Sequence, residues 1–386
     1  MLKNISFIKR GLQLYNNKGC EVYITPDTWI SLGYFKKLRE SIIKSSFVYL
    51  ITQTLYDVFK GATVDNNIFI LSNSQNYSKT QLVSGNLKTV TNINLRHLEN
   101  DYSLVLKPAN KIIDRIDSYS NKINDYCEVW QGLIAYGSKS QPREWTSLEK
   151  ESDAHKKLLY GGDISLFSIK WKEEYLKYGN WLHRPRPVYI YEQPHILVQR
   201  IRNPRLKQRI KAAIDREFHI NGTGTSNILI KENSPLKLEE ILCLINSELI
   251  NYWFSYYYFD VNIKPEQLRQ IPLPSLSTNS LNILERYLET SVKNEESNVL
   301  FSFFWSLANT IVYELYFEQE IKQANKEVLK HLTHLKPIND EMNEEEKLAI
   351  IQTEFERLYH PEHPVRFAVE TLDSIEEVRI IKEALR

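Results

Sequence analysis

The alternation of apolar and polar residues divides the first 75 residues into a short α/β pattern. Apolar positions recur at helical spacing through FIKRGLQLYNN and WISLGYFKKLRESIIKS, whereas CEVYIT, FVYLITQ and NNIFILS are short runs typical of strands. The predicted order is therefore helix, strand, helix, strand, strand. Because one strand and a hairpin do not make a doubly wound sheet that stands alone, residues 1–75 are interpreted as the last part of a three-layer α/β sheet.

The pattern changes twice along the rest of the chain. Residues 76–126 are rich in Asn, Ser, Lys and Thr, and they are predicted to form a connector with short strands and one helix near PANKIIDRIDSYSNKI. Residues 127–278 combine short strands such as HILVQRI with an amphipathic helix in KLEEILCLINSELINYWFSYYY, which indicates an α+β module. Residues 279–386 are predicted to be helical and more acidic.

Composition narrows the class of protein. The chain has 386 residues, enough for two or three domains, and we find neither a signal peptide nor a long uninterrupted apolar run, so we expect a cytoplasmic protein without a membrane span. Cys20, Cys127 and Cys243 lie more than 100 residues apart without a nearby His pair. Reduced thiols buried in a core are therefore expected, rather than a zinc site or disulfides.

Positive charge is concentrated in one segment. The net charge is only +1, yet residues 184–216 contain nine Lys or Arg and two acidic residues. Such a cluster supplies the phosphate-neutralising surface that a nearly neutral chain needs to hold DNA, although a charged run is also often a solvated face. Trp171, Trp181 and Tyr189 lie in or near this segment, where they either stack on bases or pack within the protein.

Candidate base-reading residues lie on predicted loops. Reading a base edge requires paired donors or acceptors, such as Arg to guanine or Asn and Gln to adenine. The loop NGTGTSN is interpreted as a turn that brings the backbone close to DNA, with a plain hairpin as an equal alternative. The candidate DNA-binding residues are Lys139, Gln141, Arg143, Arg184, Arg186, Arg200, Arg202, Arg205, Lys207, Arg209, Thr223, Ser226 and Asn227.

Two features that suggest metal or nuclease chemistry lack the necessary partners. His360 and His363 have no further ligands at suitable spacing, so they are interpreted as turn residues and no metal site is predicted. The string from Glu320 to Lys322 resembles part of a nuclease motif, but it falls in a helical pattern without a preceding Pro-Asp pair. We therefore expect this chain alone not to cut DNA.

The run that begins at Gly19 contains, in this order, Pro26, Trp29, Leu38, Arg39, Val58 and Phe59. With these residues it resembles the segment that follows the catalytic tetrapeptide in class γ adenine-N6 DNA methyltransferases, including type IIG restriction-modification enzymes. The resemblance implies that Phe59 stacks on the target adenine after it leaves the duplex, which offsets part of the cost of unstacking. The alternative is that Phe59 packs in a core.

Residues 127–275 resemble the target-recognition domain of the same enzymes. Five blocks occur in the family's order: EVWQGLIAYGSK, LLYGGDISLFSIKW, PHILVQRIRNP, REFHINGTGTSNILI and INSELINYWFSYYYFDVNIKPEQLRQIPLP. The resemblance implies the α/β remnant of a methyltransferase sheet over 1–75 and an α+β target-recognition domain over 127–278. A helical C-terminal region follows. It also implies double-stranded DNA as a partner.

The motifs for methyl transfer are missing from this sequence. Class γ enzymes carry an Asn-Pro-Pro-Tyr-like tetrapeptide and a glycine-rich turn for S-adenosylmethionine, but this chain has no Pro-Pro pair and no early glycine-rich turn. No catalytic residue and no cofactor are therefore expected on this chain, and S-adenosylmethionine is expected on a partner chain. The leading hypothesis is a split or truncated methyltransferase of a restriction-modification or phage-defence system. The alternatives are a non-catalytic specificity subunit that recruits a restriction or defence effector, and a broken gene.

Overall fold

The computed structural model describes residues 2–14, 19–56, 58–59, 65–73, 77–97, 102–107, 110–138, 140–258, 260–275, 277–294 and 298–385. These residues form two compact units, Met1–Asp114 and Arg115–Arg386. Each unit contains its own cluster of buried apolar side chains. The chain is a mixed α/β protein with several small sheets and a helical C-terminal region.

The first unit contains one five-stranded sheet and two helices against it. Its elements are α1 (Leu2–Leu14), β1 (Cys20–Pro26), α2 (Lys36–Ser45), β2 (Phe47–Thr52), β3 (Asn66–Ser72), β4 (Thr80–Val83), β5 (Val90–Ile93), β6 (Arg96–His97) and β7 (Leu104–Val105). The sheet order is β1-β3-β2-β4-β5, in which only β2 and β4 are parallel neighbours. The predicted order of helix, strand, helix, strand, strand is confirmed.

The predicted connector is corrected by this sheet. β4 and β5 lie within residues 76–126, yet they extend the sheet formed by the first 75 residues. The polar composition of this segment did not indicate these two strands. All but one of the β5 residues are exposed, whereas β4 is largely buried. The helix predicted near the end of this segment is present as α3 (Lys111–Asp117). The first unit therefore extends well beyond residue 75.

The motif residues Trp29 and Arg39 of the first unit hold the corner after β1. The indole Nε1 of Trp29 donates to Asn67 Oδ1 at 2.9 Å. Arg39 is fully buried, and its Nη1 donates to the backbone oxygens of Trp29 and Leu32 at 2.8 Å each. A buried guanidinium is stable only with such partners. These contacts give Trp29 and Arg39 a structural role in this corner.

The second unit is built on two four-stranded sheets. Its strands are β8 (Cys127–Gln131), β9 (Thr146–Ser147), β10 (His155–Leu159), β11 (Ile164–Ser165), β12 (Ser168–Ile169), β13 (Tyr175–Lys177), β14 (His195–Gln199), β15 (Ala212–Asp215), β16 (Ile220–Asn221) and β17 (Thr225–Ile230). One sheet has the antiparallel order β15-β14-β17-β8, and the other has the order β16-β10-β13-β9. β11 and β12 form a separate hairpin.

Helices cover the antiparallel sheet and form the rest of the second unit. They are α4 (Ile123–Tyr126), α5 (Leu238–Asn246), α6 (Glu248–Tyr257), α7 (Pro265–Leu268), α8 (Asn279–Lys293), α9 (Asn298–Tyr316), α10 (Glu318–Gln323), α11 (Glu344–Leu358), α12 (Pro364–Glu370) and α13 (Glu376–Ala384). α5 packs on β14 and β15, and α8 and α9 pack on α5. The predicted helical region 279–386 thus belongs to the same compact unit as the strands before it.

Among the described residues, α9 alone is long and apolar enough, by length and composition, to cross a membrane. Two thirds of its most apolar window is nevertheless buried inside the protein. Phe304, Leu307 and Ile311 have essentially no exposed surface, and the helix contacts α6, α8 and α11. α9 is therefore the core helix of the second unit.

Two buried amides join the edge strand β15 to the helices. Asn246 accepts a hydrogen bond from Ala212 N and donates one to Ala212 O, both at 3.0 Å. Asn251 accepts from Ile210 N at 2.7 Å and donates to the backbone oxygen of Ser247 at 2.9 Å. Both side chains are fully buried. Each amide satisfies backbone groups that a neighbouring strand satisfies elsewhere in a sheet.

We expect the variant Asn246→Ala to lose about 1–3 kcal/mol of unfolding free energy, because it leaves the buried N–H of Ala212 without this partner, whereas Ala212 O still accepts from Phe167 N. Denaturant unfolding, followed by circular dichroism, measures the change. Asn233→Ala is the control: Asn233 is exposed, and its replacement should change stability by less than about 0.5 kcal/mol. Equal stability of the two variants would contradict a structural role for Asn246.

Candidate nucleic-acid interface

A cleft in the second unit lies between two loops. One loop follows β8 and runs to β9, and the other consists of residues 222–224 between β16 and β17. The cleft has a volume of about 660 Å³. Leu133, Leu158 and Leu176 form its apolar floor. Its remaining lining includes Tyr136, Gln141, Arg143, Tyr160 and Thr223.

Glycines allow the backbones below this cleft to approach closely. A Cβ on Gly132 would lie 2.1 Å from the carbonyl oxygen of Gly222, and a Cβ on Gly161 would lie 2.6 Å from that of Gly224. Both distances are far below a van der Waals contact. Gly132 N also donates to Thr225 O at 3.0 Å. Only glycine fits Gly132 and Gly161 without a shift of backbone, so these contacts fix the position of the loop 222–224.

Hydrogen bonds organise the polar side chains around the cleft. Gln141 Oε1 accepts from Gly137 N at 3.0 Å, and the hydroxyl of Tyr136 accepts from Trp145 N at 3.0 Å. The hydroxyl of Tyr160 donates to Glu174 Oε1 at 2.8 Å. Burial, together with this carboxylate, raises the pKa of Tyr160. Tyr160 is therefore a neutral phenol whose ring is fixed in the wall of the cleft.

Three of the predicted base-reading residues meet at this cleft. Gln141 and Arg143 are separated from Thr223 by more than 75 positions along the chain. All three residues are exposed and line the cleft. Arg200 lies beneath them, where its Nη1 donates to Thr223 O at 2.7 Å and its Nε donates to Ile263 O at 3.0 Å. Arg200 thus holds the loop 222–224, a role that the sequence did not indicate.

The basic segment divides into exposed and structural side chains. Arg184, Arg205 and Lys207 are exposed, whereas Arg186 and Arg202 are half-buried. Arg186 Nε donates to Gln131 O at 2.7 Å, and Arg202 Nη1 donates to Gln199 Oε1 at 3.2 Å. Arg184 also pairs through its backbone with Ile134, at the start of the cleft loop.

The structure corrects the prediction that Arg209 belongs to a DNA-facing surface. Arg209 is fully buried, and its guanidinium donates to Arg202 O at 3.0 Å and to Asp260 O at 2.8 Å. Burial lowers the pKa of Arg209 to about 10. Its charge was visible in the sequence, but its burial depends on the chain returning at Asp260, which no local pattern indicates.

The assignment of Ser226 and Asn227 to a loop is wrong. Both residues lie in β17, the strand between β14 and β8, and neither has exposed surface. The Asn227 side chain exchanges hydrogen bonds with that of Asn221, in which Asn227 Nδ2 donates to Asn221 Oδ1 at 3.2 Å. These amides therefore hold the strands rather than read bases. Lys139 lies outside the described residues.

Phe59 is not a core residue. Its side chain is 51% exposed, and the neighbouring Val58 is also partly exposed. Neither residue belongs to the buried cluster of the first unit. The alternative that Phe59 packs inside the sheet is therefore wrong. Its stacking on a flipped base stays a prediction.

Tyr136 and Tyr160 were missed at the level of sequence, whereas Trp181 was already predicted either to stack on bases or to pack within the protein. Tyr136 and Tyr160 each precede a glycine, in the strings YGSK and YGGD, and this aromatic–glycine pairing was the available signal. Trp181 is 47% exposed and lies 5.8 Å from Trp145, between ring centroids. Lys177 Nζ lies 5.6 Å from the Trp181 ring. This pair adds an exposed aromatic surface next to the loop that carries Tyr136.

The described residues give little support for a metal site or for a reactive thiol. Within the described ranges, no three His, Cys, Asp or Glu side chains lie close enough together to hold a metal ion. Cys127 and Cys243 are buried free thiols as predicted, and burial raises the pKa of Cys127 to about 12. Cys20 is exposed, which corrects the prediction that all three lie in a core.

Comparison with known proteins identifies the class of domain to which part of this cleft belongs. Residues 156–273 match the family described as the TaqI-like C-terminal specificity domain. This match covers β10 to α7 and supports a target-recognition domain of restriction-modification enzymes. The predicted resemblance is confirmed at that level.

One relative and one solved structure of similar fold extend the similarity beyond this domain. A protein of Methanocaldococcus jannaschii named as a type II restriction enzyme and methyltransferase is 22% identical over 349 residues, covering 82% of this chain and 29% of the relative. The fold is similar to that of the type IIL restriction-modification enzyme MmeI, solved in complex with DNA, with a TM-score of 0.54 and 8% identity. That similarity covers 92% of this chain and 52% of MmeI. The chain thus spans about a third to a half of these relatives.

We expect Gly132→Ala to lose about 2–3 kcal/mol of unfolding free energy, because the added methyl group overlaps the carbonyl of Gly222 and forces the strands apart. Chemical denaturation measures the loss. Gly162→Ala is the matched control, since a Cβ there meets only Lys172 Nζ at 3.8 Å. A Gly132→Ala variant as stable as this control would show that the close approach is not a constraint.

Proposed function

We propose that this chain recognises a DNA sequence as the target-recognition part of an adenine-N6 methyltransferase in a restriction-modification or phage-defence system. One observation carries the proposal: Gln141 and Arg143 meet Thr223 at one cleft, and Thr223 lies in the segment 156–273 that matches a specificity family. These side chains offer the donors and acceptors that distinguish base edges. The named functions of the two relatives, and the DNA bound to MmeI, point to the same partner.

Exposed cations near the cleft support contact with the phosphate backbone. Arg184 is tied through its backbone to the cleft loop at Ile134, and Arg200 connects the basic segment to the loop 222–224. Arg205 and Lys207 of the same segment are exposed. Phosphate contacts of this kind fix the position of a protein on the duplex, while the cleft residues supply selectivity.

The first unit supports attachment of a methyltransferase part. β1 is an edge strand of the five-stranded sheet, and none of the described residues pairs with its outer edge. Val22 and Ile24 on this strand are 64% and 45% exposed. An exposed apolar edge strand favours addition of another strand. The proposed part binds S-adenosylmethionine and carries the catalytic tetrapeptide, on a separate chain or elsewhere in a longer one, and Phe59 stacks on the adenine that it methylates.

For DNA binding, we expect the double variant Arg205→Ala/Lys207→Ala to weaken the affinity for all duplex sequences alike. Loss of two phosphate contacts should reduce the slope of log K against log salt concentration by roughly two. Fluorescence anisotropy with a labelled duplex, measured from low to physiological salt, tests this value. Arg379→Ala/Lys322→Ala removes the same two charge types from exposed positions in the helical region, and its slope should equal that of the wild type. An unchanged slope in the first variant would remove these residues from the interface.

For catalysis, we expect Phe59→Ala to reduce methyl transfer by about 10- to 100-fold in the assembled enzyme, because stacking on a base contributes about 1–3 kcal/mol. Incorporation of radiolabelled methyl groups into DNA measures the rate, and anisotropy should show unchanged DNA affinity. Phe59→Trp should restore most of the activity.

Tyr34→Ala is the control for this experiment, since Tyr34 is an exposed aromatic residue of the same unit. Unchanged methylation by Phe59→Ala would favour the alternative, a non-catalytic specificity subunit that recruits another effector. Methyl transfer by this chain alone would contradict the proposal that the chemistry lies elsewhere.

A further inference from the structure

The cleft of the second unit is deeper than base-edge reading requires. A side chain that reads a stacked base must project from the protein surface into a groove of the duplex. Here the floor consists of Leu133, Leu158 and Leu176, each with less than 5% of its surface exposed, and it lies below the polar side chains. A stacked base pair cannot reach such a floor. The apolar interior therefore fits a group that leaves the double helix.

The size and walls of the cleft suit a flat aromatic group. Its volume of about 660 Å³ lies in the range of roughly 300–1,000 Å³ found for small-molecule pockets. Tyr136 and Tyr160 contribute aromatic rings to the walls, and the hydrogen bond to Glu174 fixes the ring of Tyr160. Extruded bases are held in this manner, between aromatic or apolar side chains with polar groups at the base edge.

One wall is bare backbone. A Cβ built on Gly222 would meet nothing nearer than Leu159 O and Tyr160 Cδ1, both at 4.0 Å. The space in front of Gly222 is thus part of the cleft, unlike the crowded position of Gly132 below it. A ring can lie flat against the peptide groups here, whereas any side chain at this position would occupy its place.

Charge at the opening of the cleft matches a nucleotide. Arg143 is exposed, lines the cleft, and interacts electrostatically with Tyr160. When a base leaves the helix, its own phosphates follow it toward the protein, so a guanidinium at the opening offsets their repulsion. Gln141 presents an amide beside it, and an amide carries both donors and acceptors for a base edge.

We propose that this cleft holds one extruded DNA base, which is distinct from the adenine assigned to Phe59. This inference rests on the proposed function, because it presupposes that the chain binds duplex DNA at this face. The extruded base contacts Tyr136, Tyr160 and the Gly222 backbone, and its identity contributes to sequence recognition.

Filling the cleft tests the proposal. Gly222→Leu places an isobutyl group in the open space without a clash of the Cβ, whereas Gly162→Leu adds the same group at an exposed turn outside the cleft. A bound duplex is first selected from a random pool with the wild-type chain. Each base pair of that duplex is then replaced in turn by a mismatch, and the dissociation constants are measured by anisotropy.

A base that must leave its partner binds more tightly when that pairing is already lost. For the wild type, we expect at least one position at which a mismatch increases affinity fivefold or more, and at which Phe59→Ala leaves the increase unchanged. Gly222→Leu should abolish this increase, while Gly162→Leu should retain it. Thermal unfolding of both variants checks that the fold is kept, and Gly222→Ser provides a milder filling if the Leu variant unfolds.

The contrary outcomes separate the two levels of the proposal. If the wild-type chain selects and binds a duplex, but no mismatch apart from a Phe59-dependent one increases its affinity, the extruded base is disproved and DNA recognition stands. The same conclusion follows if a folded Gly222 variant keeps the increase. If the wild type binds no duplex at all, the proposed function fails and this inference fails with it.

Discussion

The second unit depends on the way in which its edge strand β15 ends against helices instead of against another strand. The amides of Asn246 and Asn251 bind outward backbone groups of Ala212 and Ile210, and Ala212 O also accepts from Phe167 N at 3.0 Å. Because unsatisfied backbone groups are costly in a core, these side chains stabilise the buried start of β15. The pairing fixes α5 and α6 on the sheet, and it also fixes the chain that enters β15, which is the basic segment.

The same junction explains why so much of the positive charge in this segment is structural. Arg209 and Arg202 lie just before β15, and their guanidinium groups bind backbone oxygens of the folded segment. At the other end of the strand, Arg216 donates to Glu239, Glu285 and Glu289 at 3.0 Å each, which ties the sheet to α5 and α8. Burial raises the pKa of Glu285 to about 7 although Arg216 opposes this shift. A count of basic residues along the sequence therefore overstates the positive charge that is exposed and available to DNA.

Local sequence patterns predicted most helices and strands, but they did not predict which of the residues are buried. The first five elements follow from apolar spacing, because each strand or helix covers its own part of one core. Asn227 was assigned to a loop because NGTGTSN is polar and rich in glycine, yet its side chain pairs with Asn221 inside the domain. That pairing requires β14 and β8 on the two sides of β17, and the paired residues of these strands lie more than 25 positions away along the chain. Burial of this kind depends on the topology, and topology is not a local property of the sequence.

The glycine contacts below the cleft suggest how recognition can change while the fold is kept. Gly132 and Gly161 approach the loop 222–224 closely through backbone, and Arg200 binds Thr223 O, so the position of the loop does not depend on the exposed side chains above. Gln141, Arg143 and Thr223 belong to the opening of the cleft and contribute little to its foundation. Substitutions at the opening therefore change the donors and acceptors offered to DNA at small cost in stability, because surface positions away from such packing are tolerant. A rigid backbone support beneath exchangeable polar side chains separates the stability of this domain from the chemistry that its cleft presents.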